Sequence, residues 1–321
     1  MSRIGRQARH GSHGPIGGGW APEAHDPRDR HLQHPLVRPT LAKGVAEPPP
    51  ELPPSADLRH WCGRVKFQGG LQTCNAHVVA SLLEYFERRA FGKEVTPSRL
   101  FLFRVGKNFA QADDASPVYI RQLMGVLKMI GVPPEKYWPY PRLKKNAAGQ
   151  FPTDDPKLHV EPPAFCYALA ADYEAVTYYR LDTRDRKGQL TITPQELLNQ
   201  VRLHLAHGIP TTLGVPLYLK GVRSSWTTTK GVLPYPGRNE ASVGGHAVLA
   251  VGYDDAKKIP GAAASPGALL VQNSWGEHWG ERGFGWIPYA YILKDRARDF
   301  WTLTRAEWTD TGAFELGLTR T

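Results

Sequence analysis

The chain has 321 residues, of which 41% are hydrophobic and 22% charged, and its 40 Lys and Arg against 30 Asp and Glu give a net charge of +10. This is the composition of a globular protein, and it excludes full-length disorder, coiled coils and fibrous repeats. Three cysteines are too few for a disulfide framework, and no apolar run reaches the roughly 18 residues that a membrane-spanning helix needs.

The positive charge does not identify a partner. The densest basic groups, at 142–145 and 180–187, lie beside proline or alternate with acidic residues, and neither forms a basic face with aromatic residues for base stacking. We therefore expect a monomer with no nucleic-acid or membrane partner. The N-terminus is basic but has no apolar segment behind it, which predicts a cytoplasmic protein and leaves export by another route open.

Residues 1–54 differ in composition from the rest of the chain. They hold 10 of the 28 prolines and 7 of the 32 glycines, and their apolar surface is too small to offset the entropy of ordering them. We interpret them as an extended arm similar to a leader or propeptide, and residues 55–321 as the folded domain. Trp20 either packs onto that domain or stays exposed in the arm.

Three segments have the apolar spacing of amphipathic helices. The first spans 74–91 and stops at Gly92, and the second spans 118–130 and stops at Gly131. The third follows the capping sequence at 193–196, which has a proline at the first helical position, and ends at Gly208.

The later part of the domain is predicted to form strands. They are expected at 211–215, 247–253, 269–273, 284–287 and 300–304. Helices followed by strands favour the α+β class, with a helical half at about 65–140 and an antiparallel half, a sheet or a barrel, at about 160–310. A cleft should lie where the halves meet.

The helix at 74–91 begins with a cysteine. Unpaired N–H groups and the helix dipole favour a thiolate there, which is the reactive form of the side chain. The preceding segment, Gln68-Gly-Gly-Leu-Gln-Thr-Cys74, has glycines that permit close approach of a ligand and an amide on Gln68 that can stabilise an oxyanion. By itself this pattern also fits a buried structural cysteine.

Two later segments supply an imidazole and an amide. His246 opens an apolar strand directly after Gly245, and Asn273 ends another strand just before Trp275 and Trp279. In nucleophilic catalysis of the Cys/His/Asn type, the histidine takes the thiol proton and the asparagine amide orients the imidazole.

Taken in this order, the three segments resemble the papain-like cysteine peptidases, over roughly residues 58–304. The resemblance implies a two-domain fold with the active-site cleft between a helical and a β-rich domain. It also implies hydrolysis of a peptide or protein substrate through a thioester, with no metal or organic cofactor. It assigns Cys74 as nucleophile, His246 as general base and acid, Asn273 as orienting amide and Gln68 as oxyanion donor. Four further residues are expected to bind substrate or shield the site: Gln72, Thr73, Gly245 and Trp275.

Other segments resemble a prokaryotic branch of this family whose domain starts with Asp-Leu-Arg. They are Asp57-Leu-Arg59, 135–140, Gly244-Gly-His246, Asp299-Phe-Trp301 and, in the arm, 19–22. The cysteine segment departs from the family pattern at three positions. Gln72 replaces a glycine, and Asn75 and His77 replace aromatic residues. The side chain of Gln72 would project near the leaving group or the P1 residue of a substrate, where it would either narrow specificity or block ordinary substrates.

Two alternatives use the same scaffold. The acyl-enzyme could be delivered to an amine by a peptide-maturation enzyme, or the fold could be a catalytically degenerate binding protein. Cys62 and Cys166 are interpreted as ordinary thiols, although a disulfide between them is left open. Part of the arm is expected to lie across the domain and limit access to Cys74.

Overall fold

The structure is a computed structural model, and it describes residues 18–41, 43–93, 95–111, 113, 116–170, 177–219, 221, 225–259 and 266–304. Within these ranges the α+β class predicted from the sequence is confirmed, because a group of helices packs beside an antiparallel sheet. The α-helices of the described residues are α1 (Lys43–Ala46), α2 (Cys74–Phe91), α3 (Arg99–Phe109), α4 (Ile120–Met129), α5 (Ala164–Ala170), α6 (Pro194–Ala206), α7 (Ser225–Lys230) and α8 (Ala290–Leu293).

Helix α2 is the centre of the helical half. It is buried on nearly all of its circumference, which is typical of a helix enclosed by other elements. It ends, as predicted, at Gly92, whose left-handed backbone (φ 64°) suits a residue without a Cβ. The first residue of this central helix is Cys74, so the fold fixes the position of that cysteine.

The other two predicted helices, α4 and α6, are confirmed, and the described residues contain five helices that were not predicted, of which α3 is the longest. Helix α6 begins with a reciprocal cap, in which Thr193 Oγ1 accepts from the Glu196 N–H and Glu196 Oε2 accepts from the Thr193 N–H. Helix α3 was not predicted. Its apolar residues at 100–103 are consecutive in the sequence, so they lack the spacing by which the other helices were predicted. Its N-cap is Ser98, whose Oγ accepts from the Phe101 N–H.

The predicted strands are confirmed, and most of them are longer in the structure. The strands are β1 (Ser55–Asp57), β2 (Thr177–Arg180), β3 (Thr211–Tyr218), β4 (Ser242–Asp254), β5 (Ala268–Gln272), β6 (Phe284–Pro288) and β7 (Trp301–Thr304). Strand β4 pairs with β5 along one edge and with β3 and β1 in succession along the other, and β6 continues the sheet beyond β5. Strands β2 and β7 form a separate antiparallel pair.

One hydrophobic core joins the two halves. It contains apolar residues of α2, such as Val79 and Leu83, together with residues of β4, such as Val248 and Leu249. The start of α2 therefore lies against the sheet at the level where β4 begins. This contact brings together the two sequence segments that carry the cysteine and the histidine.

Two expectations about the chain as a whole can be compared with the structure. No helix among the described residues combines the length and the apolar character needed to cross a membrane. Cys62 and Cys166 are free thiols, so the disulfide that the sequence left open is not formed in this structure. Burial raises the pKa of the Cys62 thiol far above its usual value, which disfavours its thiolate.

Candidate active site

The loop at 68–73 holds the start of helix α2 in place. Its backbone pairs with the segment after β5, since the Gln68 N–H donates to the Ser274 carbonyl at 2.8 Å. The Gln68 side chain is also fixed, because its Oε1 accepts from Ser274 Oγ and its Nε2 donates to the Leu71 carbonyl at 2.7 Å. The amide predicted to stabilise an oxyanion is thus held rigidly next to Cys74.

Thr73, expected to bind substrate, is turned into the protein. It is 1% exposed, and its Oγ1 lies 2.7 Å from the Tyr140 hydroxyl, which donates in turn to the Gln68 carbonyl at 3.1 Å. Through Tyr140, the Thr73 side chain stabilises the loop at 68–73 from the buried side. Ser274 and Tyr140 were missed by the sequence reasoning, because only their contacts across long sequence separations reveal them.

His246 and Asn273 come from two neighbouring strands. His246 lies in β4, and Asn273 directly follows β5, which pairs with β4. The Nε2 of His246 lies 2.7 Å from Oδ1 of Asn273. An amide oxygen can only accept, so the proton of the neutral imidazole is on Nε2 and its Nδ1 is a free base. That Nδ1 has no hydrogen-bond partner among the described residues.

Trp275, which was expected to cover the contact between His246 and Asn273, lies against the His246 ring. The Trp275 ring stacks on the His246 ring with centroids 4.6 Å apart. The Trp279 ring packs edge-on against the Trp275 ring, with centroids 5.6 Å apart. Burial lowers the pKa of His246 to about 4, against a smaller opposing effect of the hydrogen bond to Asn273. The imidazole is therefore neutral at physiological pH in this structure.

The Cys74 thiol is fully buried, and this changes its expected acidity. The helix N-terminus was predicted to lower its pKa, and backbone N–H groups, including those of Ala247 and Trp20, do favour the thiolate. Burial is the larger effect, and it raises the pKa of Cys74 to about 12. The expectation of an activated thiolate is therefore wrong for this state of the molecule, because the charged form has no access to water.

The arm lies close to the buried thiol. The N–H groups of Gly19 and Trp20 donate to the Gly245 carbonyl at 3.1 and 3.3 Å, and the Gly18 carbonyl lies 3.4 Å from Gln68 Nε2. Gly19 has a φ of +126°, and a Cβ there would lie 2.4 Å from the Gln72 carbonyl oxygen. Residues 18–20 thus cross directly over the loop that carries Cys74. Residues 1–17 of the arm lie outside the described part of the chain.

The arm is anchored by Trp20, which packs onto the body and is 8% exposed. Its indole Nε1–H donates to Asp299 Oδ2 at 2.8 Å. Three residues further along, the Glu23 N–H donates to the same oxygen at 3.2 Å. In the sequence, Asp299 is notable only as part of 299–301, which resembles a family segment. Its contact with Trp20 joins residues 279 positions apart, so no local pattern indicates it.

The three departures in the cysteine segment have different environments. Gln72 is exposed beside the arm. Asn75 is buried, and its Nδ2 donates to the Val118 carbonyl at 2.5 Å while its Oδ1 lies 3.8 Å from Cys74 Sγ. His77 is buried, with Nε2 3.0 Å from a guanidinium nitrogen of Arg99. Asn75 and His77 therefore act in the packing of α2, and only Gln72 faces the side from which a substrate could come.

Comparison with known proteins supports the same interpretation. A family model described as papain family cysteine protease matches residues 165–292, a span that includes His246 and Asn273 and starts after Cys74. An uncharacterised peptidase C1-like protein of Acanthamoeba polyphaga mimivirus is 28% identical over 240 residues, which cover 74% of this chain and 68% of that protein.

Solved structures of cysteine proteases have the same fold. Xylellain, a cysteine protease from Xylella fastidiosa, is 29% identical and superposes with a TM-score of 0.70 over 93% of this chain and 99% of its own. A procathepsin B from Trypanosoma congolense, at 15% identity, has a TM-score of 0.56 over 90% of this chain and 86% of its own, a likeness of fold alone.

Proposed function

Since the chain is a papain-like cysteine peptidase, we propose that it hydrolyses peptide bonds through Cys74, with His246 as general base and acid and Asn273 as the group that orients the imidazole. The observation that carries this proposal is the 2.7 Å contact between His246 Nε2 and Asn273 Oδ1. It commits the ring proton to Nε2 and leaves Nδ1 as the basic atom, which is the arrangement that base catalysis requires.

The reaction proceeds by acyl transfer. His246 Nδ1 takes the proton from the Cys74 thiol as Sγ bonds to the substrate carbonyl carbon, and the carbonyl π electrons move onto its oxygen. Collapse of this intermediate breaks the C–N bond, and the leaving nitrogen takes the proton back from Nδ1. A water then attacks the thioester with His246 again as base, which releases the carboxylic acid and restores the thiol.

Gln68 and the Cys74 N–H are proposed to bind the negatively charged oxygen. The Gln68 amide is held by Ser274 Oγ and the Leu71 carbonyl, so it loses little freedom when the oxyanion forms. The Gly18 carbonyl oxygen of the arm lies 3.4 Å from the same Nε2. A carbonyl oxygen of the arm thus already lies near the Gln68 amide nitrogen that is proposed to bind the substrate oxyanion.

We further propose that the described state is a covered, resting form in which residues 18–20 limit access to Cys74. The thiol and the imidazole are both neutral there, because burial raises the pKa of one and lowers that of the other. Residues 18–20 must move aside before a peptide can reach the thiol. Water that enters with the substrate then favours the charged forms of both groups.

The test uses the full chain and its three thiols as internal references. Two backgrounds are compared, the wild-type chain and Gly19→Ala. Cys74→Ala and His246→Ala are each introduced into both backgrounds. All chains are treated with iodoacetamide, and the alkylation of each cysteine is followed by mass spectrometry. Turnover of a mixed fluorogenic peptide pool is measured in parallel, with and without an added amine that would reveal acyl transfer instead of hydrolysis.

We expect alkylation of Cys74 in the Gly19→Ala chain to exceed that of Cys62 and to fall with His246→Ala, and we expect Cys74→Ala to abolish turnover. Peptide hydrolysis that persists in Cys74→Ala would show that another group is the nucleophile. A Cys74 that is alkylated no faster than Cys62 in every variant would contradict its activation.

A further inference from the structure

The indole of Trp20 fills a pocket, here called the Trp20 pocket, formed by Gly214, Gly245 and Asp299. A Cβ added at Gly214 would lie 1.9 Å from the Trp20 ring, and one added at Gly245 would lie 2.5 Å from it. Glycine at both positions therefore leaves room for a large flat side chain, whose far end reaches Asp299.

The Trp20 pocket adjoins the reacting groups. Gly245 directly precedes His246, and Gly214 of β3 pairs in register with Ala247 of β4. The backbone N–H of Trp20 is close enough to Cys74 to favour its thiolate. A peptide whose carbonyl is attacked by Cys74 must therefore pass the mouth of this pocket once the arm has left it.

Asp299 remains in place when the arm moves, because the body of the protein holds it. Its N–H donates to Asp182 Oδ2 at 2.8 Å, its carbonyl accepts from Thr212 Oγ1 at 2.9 Å, and its Oδ1 lies 3.3 Å from an Arg180 nitrogen. It is 1% exposed. The carboxylate is thus a fixed feature at the end of the pocket.

The other carboxylate oxygen depends on the arm. In the described residues the hydrogen-bond donors to Asp299 Oδ2 are the Trp20 indole N–H and the Glu23 backbone N–H, and both belong to the arm. Their departure would leave a buried carboxylate oxygen without a donor, which is costly. A bound side chain that brings its own N–H donor removes that cost, whereas one of the same shape without a donor does not.

We propose that the Trp20 pocket is a specificity pocket in which Asp299 selects substrates with a tryptophan next to the scissile bond. The proposal rests on the proposed function of Cys74. Arginine also carries planar N–H donors, but Arg180 already lies against Asp299, and a second guanidinium would be repelled by it. Asp299 acts here by binding substrate and takes no part in bond making.

The first test separates binding from catalysis. In the full chain, Trp20→Ala removes the indole from the pocket whether or not the arm backbone moves. The probes are indole and benzothiophene, which have the same shape, but only indole carries an N–H donor. Calorimetry should show that indole binds about ten- to a hundredfold more tightly than benzothiophene. Adding Gly214→Ala should abolish binding of both, whereas Gly237→Ala, whose Cβ would meet nothing within 4 Å, should leave it unchanged.

The second test concerns substrates. The Trp20→Ala variant is assayed with fluorogenic peptides that have blocked ends and differ at a single residue. That residue is tryptophan, 3-benzothienylalanine, arginine or leucine, and it is placed in turn at each position near the scissile bond. We expect kcat/KM to be highest for tryptophan at one position and about tenfold or more lower for 3-benzothienylalanine there.

Equal binding of indole and benzothiophene, or no binding of either, would overturn the proposal. Selective indole binding with no preference for tryptophan in turnover would show that the pocket serves the arm alone, and would also overturn it. Hydrolysis of none of the peptides would instead refute the proposed function, and with it the role in substrate selection, while the indole measurement would still report separately whether Asp299 selects the N–H.

Discussion

His246 and Asn273 are joined by a 2.7 Å hydrogen bond between side chains 27 residues apart. His246 lies inside β4, and Asn273 directly follows Gln272 of β5, which pairs with Leu249 of β4, so the register of the two strands sets their separation. The bond determines which nitrogen of the imidazole is basic, and Trp275 lies against the ring to keep water away. Several consequences of this arrangement can be measured.

Asn273→Ala removes the acceptor for the His246 Nε2–H and leaves a buried donor without a partner. The ring then loses its fixed orientation and tautomer, and kcat/KM should fall by about ten- to a hundredfold while the fold remains intact. Peptide turnover and circular dichroism of the variant measure the two effects. Asn199→Ala, on the exposed face of α6, is the matched control. Unchanged turnover in Asn273→Ala would refute the orienting role.

Trp275→Ala uncovers His246 to solvent. Since burial is the main cause that lowers the pKa of His246 to about 4, the pKa should rise toward its usual value of 6.5 in the variant. The imidazole resonances of His246 in an NMR titration report this directly. Trp61→Ala is the control, because Trp61 packs against His60 instead. A His246 pKa that stays near 4 would show that residues other than Trp275 bury the imidazole and lower its pKa.

Gly19→Ala displaces the arm at the point where it crosses the Gln72 carbonyl. The added methyl would lie 2.4 Å from that oxygen, and the φ of +126° is unfavourable for alanine. Alkylation of Cys74 at pH 7 should therefore become faster, because renewed contact with water lowers the thiol pKa from about 12. Gly237→Ala serves as control. If the alkylation rates are equal, the arm does not limit access to the thiol.

Glu23 makes docking of the arm sensitive to pH. It lies among Asp299, Arg121 and Arg180, and burial together with the Asp299 charge raises its pKa from 4.5 to about 8. The docked arm thus holds a proton that the free arm loses above about pH 4.5. Docking is strongest below that value and weakens as the pH rises toward 8.

Glu23→Gln keeps the shape of the protonated side chain and removes this titration. The ratio of Cys74 alkylation in wild type to that in Glu23→Gln cancels the intrinsic effect of pH on the thiol. We expect this ratio to be near one at pH 5 and to increase by pH 9, as the wild-type arm loosens. A ratio that stays constant over this interval would exclude Glu23 as the titrating group.

The sequence by itself determined much of this protein. Helical spacing located α2, α4 and α6, the apolar segments located β3 to β7 but not β1 and β2, and the segments around Cys74, His246 and Asn273 indicated the chemistry. These signals are local, because the period of a helix or strand and the residues that follow a turn are written in neighbouring positions. Helix α3 was not predicted because its apolar residues at 100–103 are consecutive in the sequence and lack helical spacing.

Only the tertiary structure decided the state of the site. Whether Cys74 is ionised depends on how much water reaches it, and residues 18–20, more than 50 positions earlier in the chain, lie over the loop that carries it. The partnership of Trp20 and Asp299 likewise joins the two ends of the described chain. Burial and charge act through space, so no local pattern records them. The sequence therefore predicts which side chains react, and the packing of distant segments determines how far those side chains are buried.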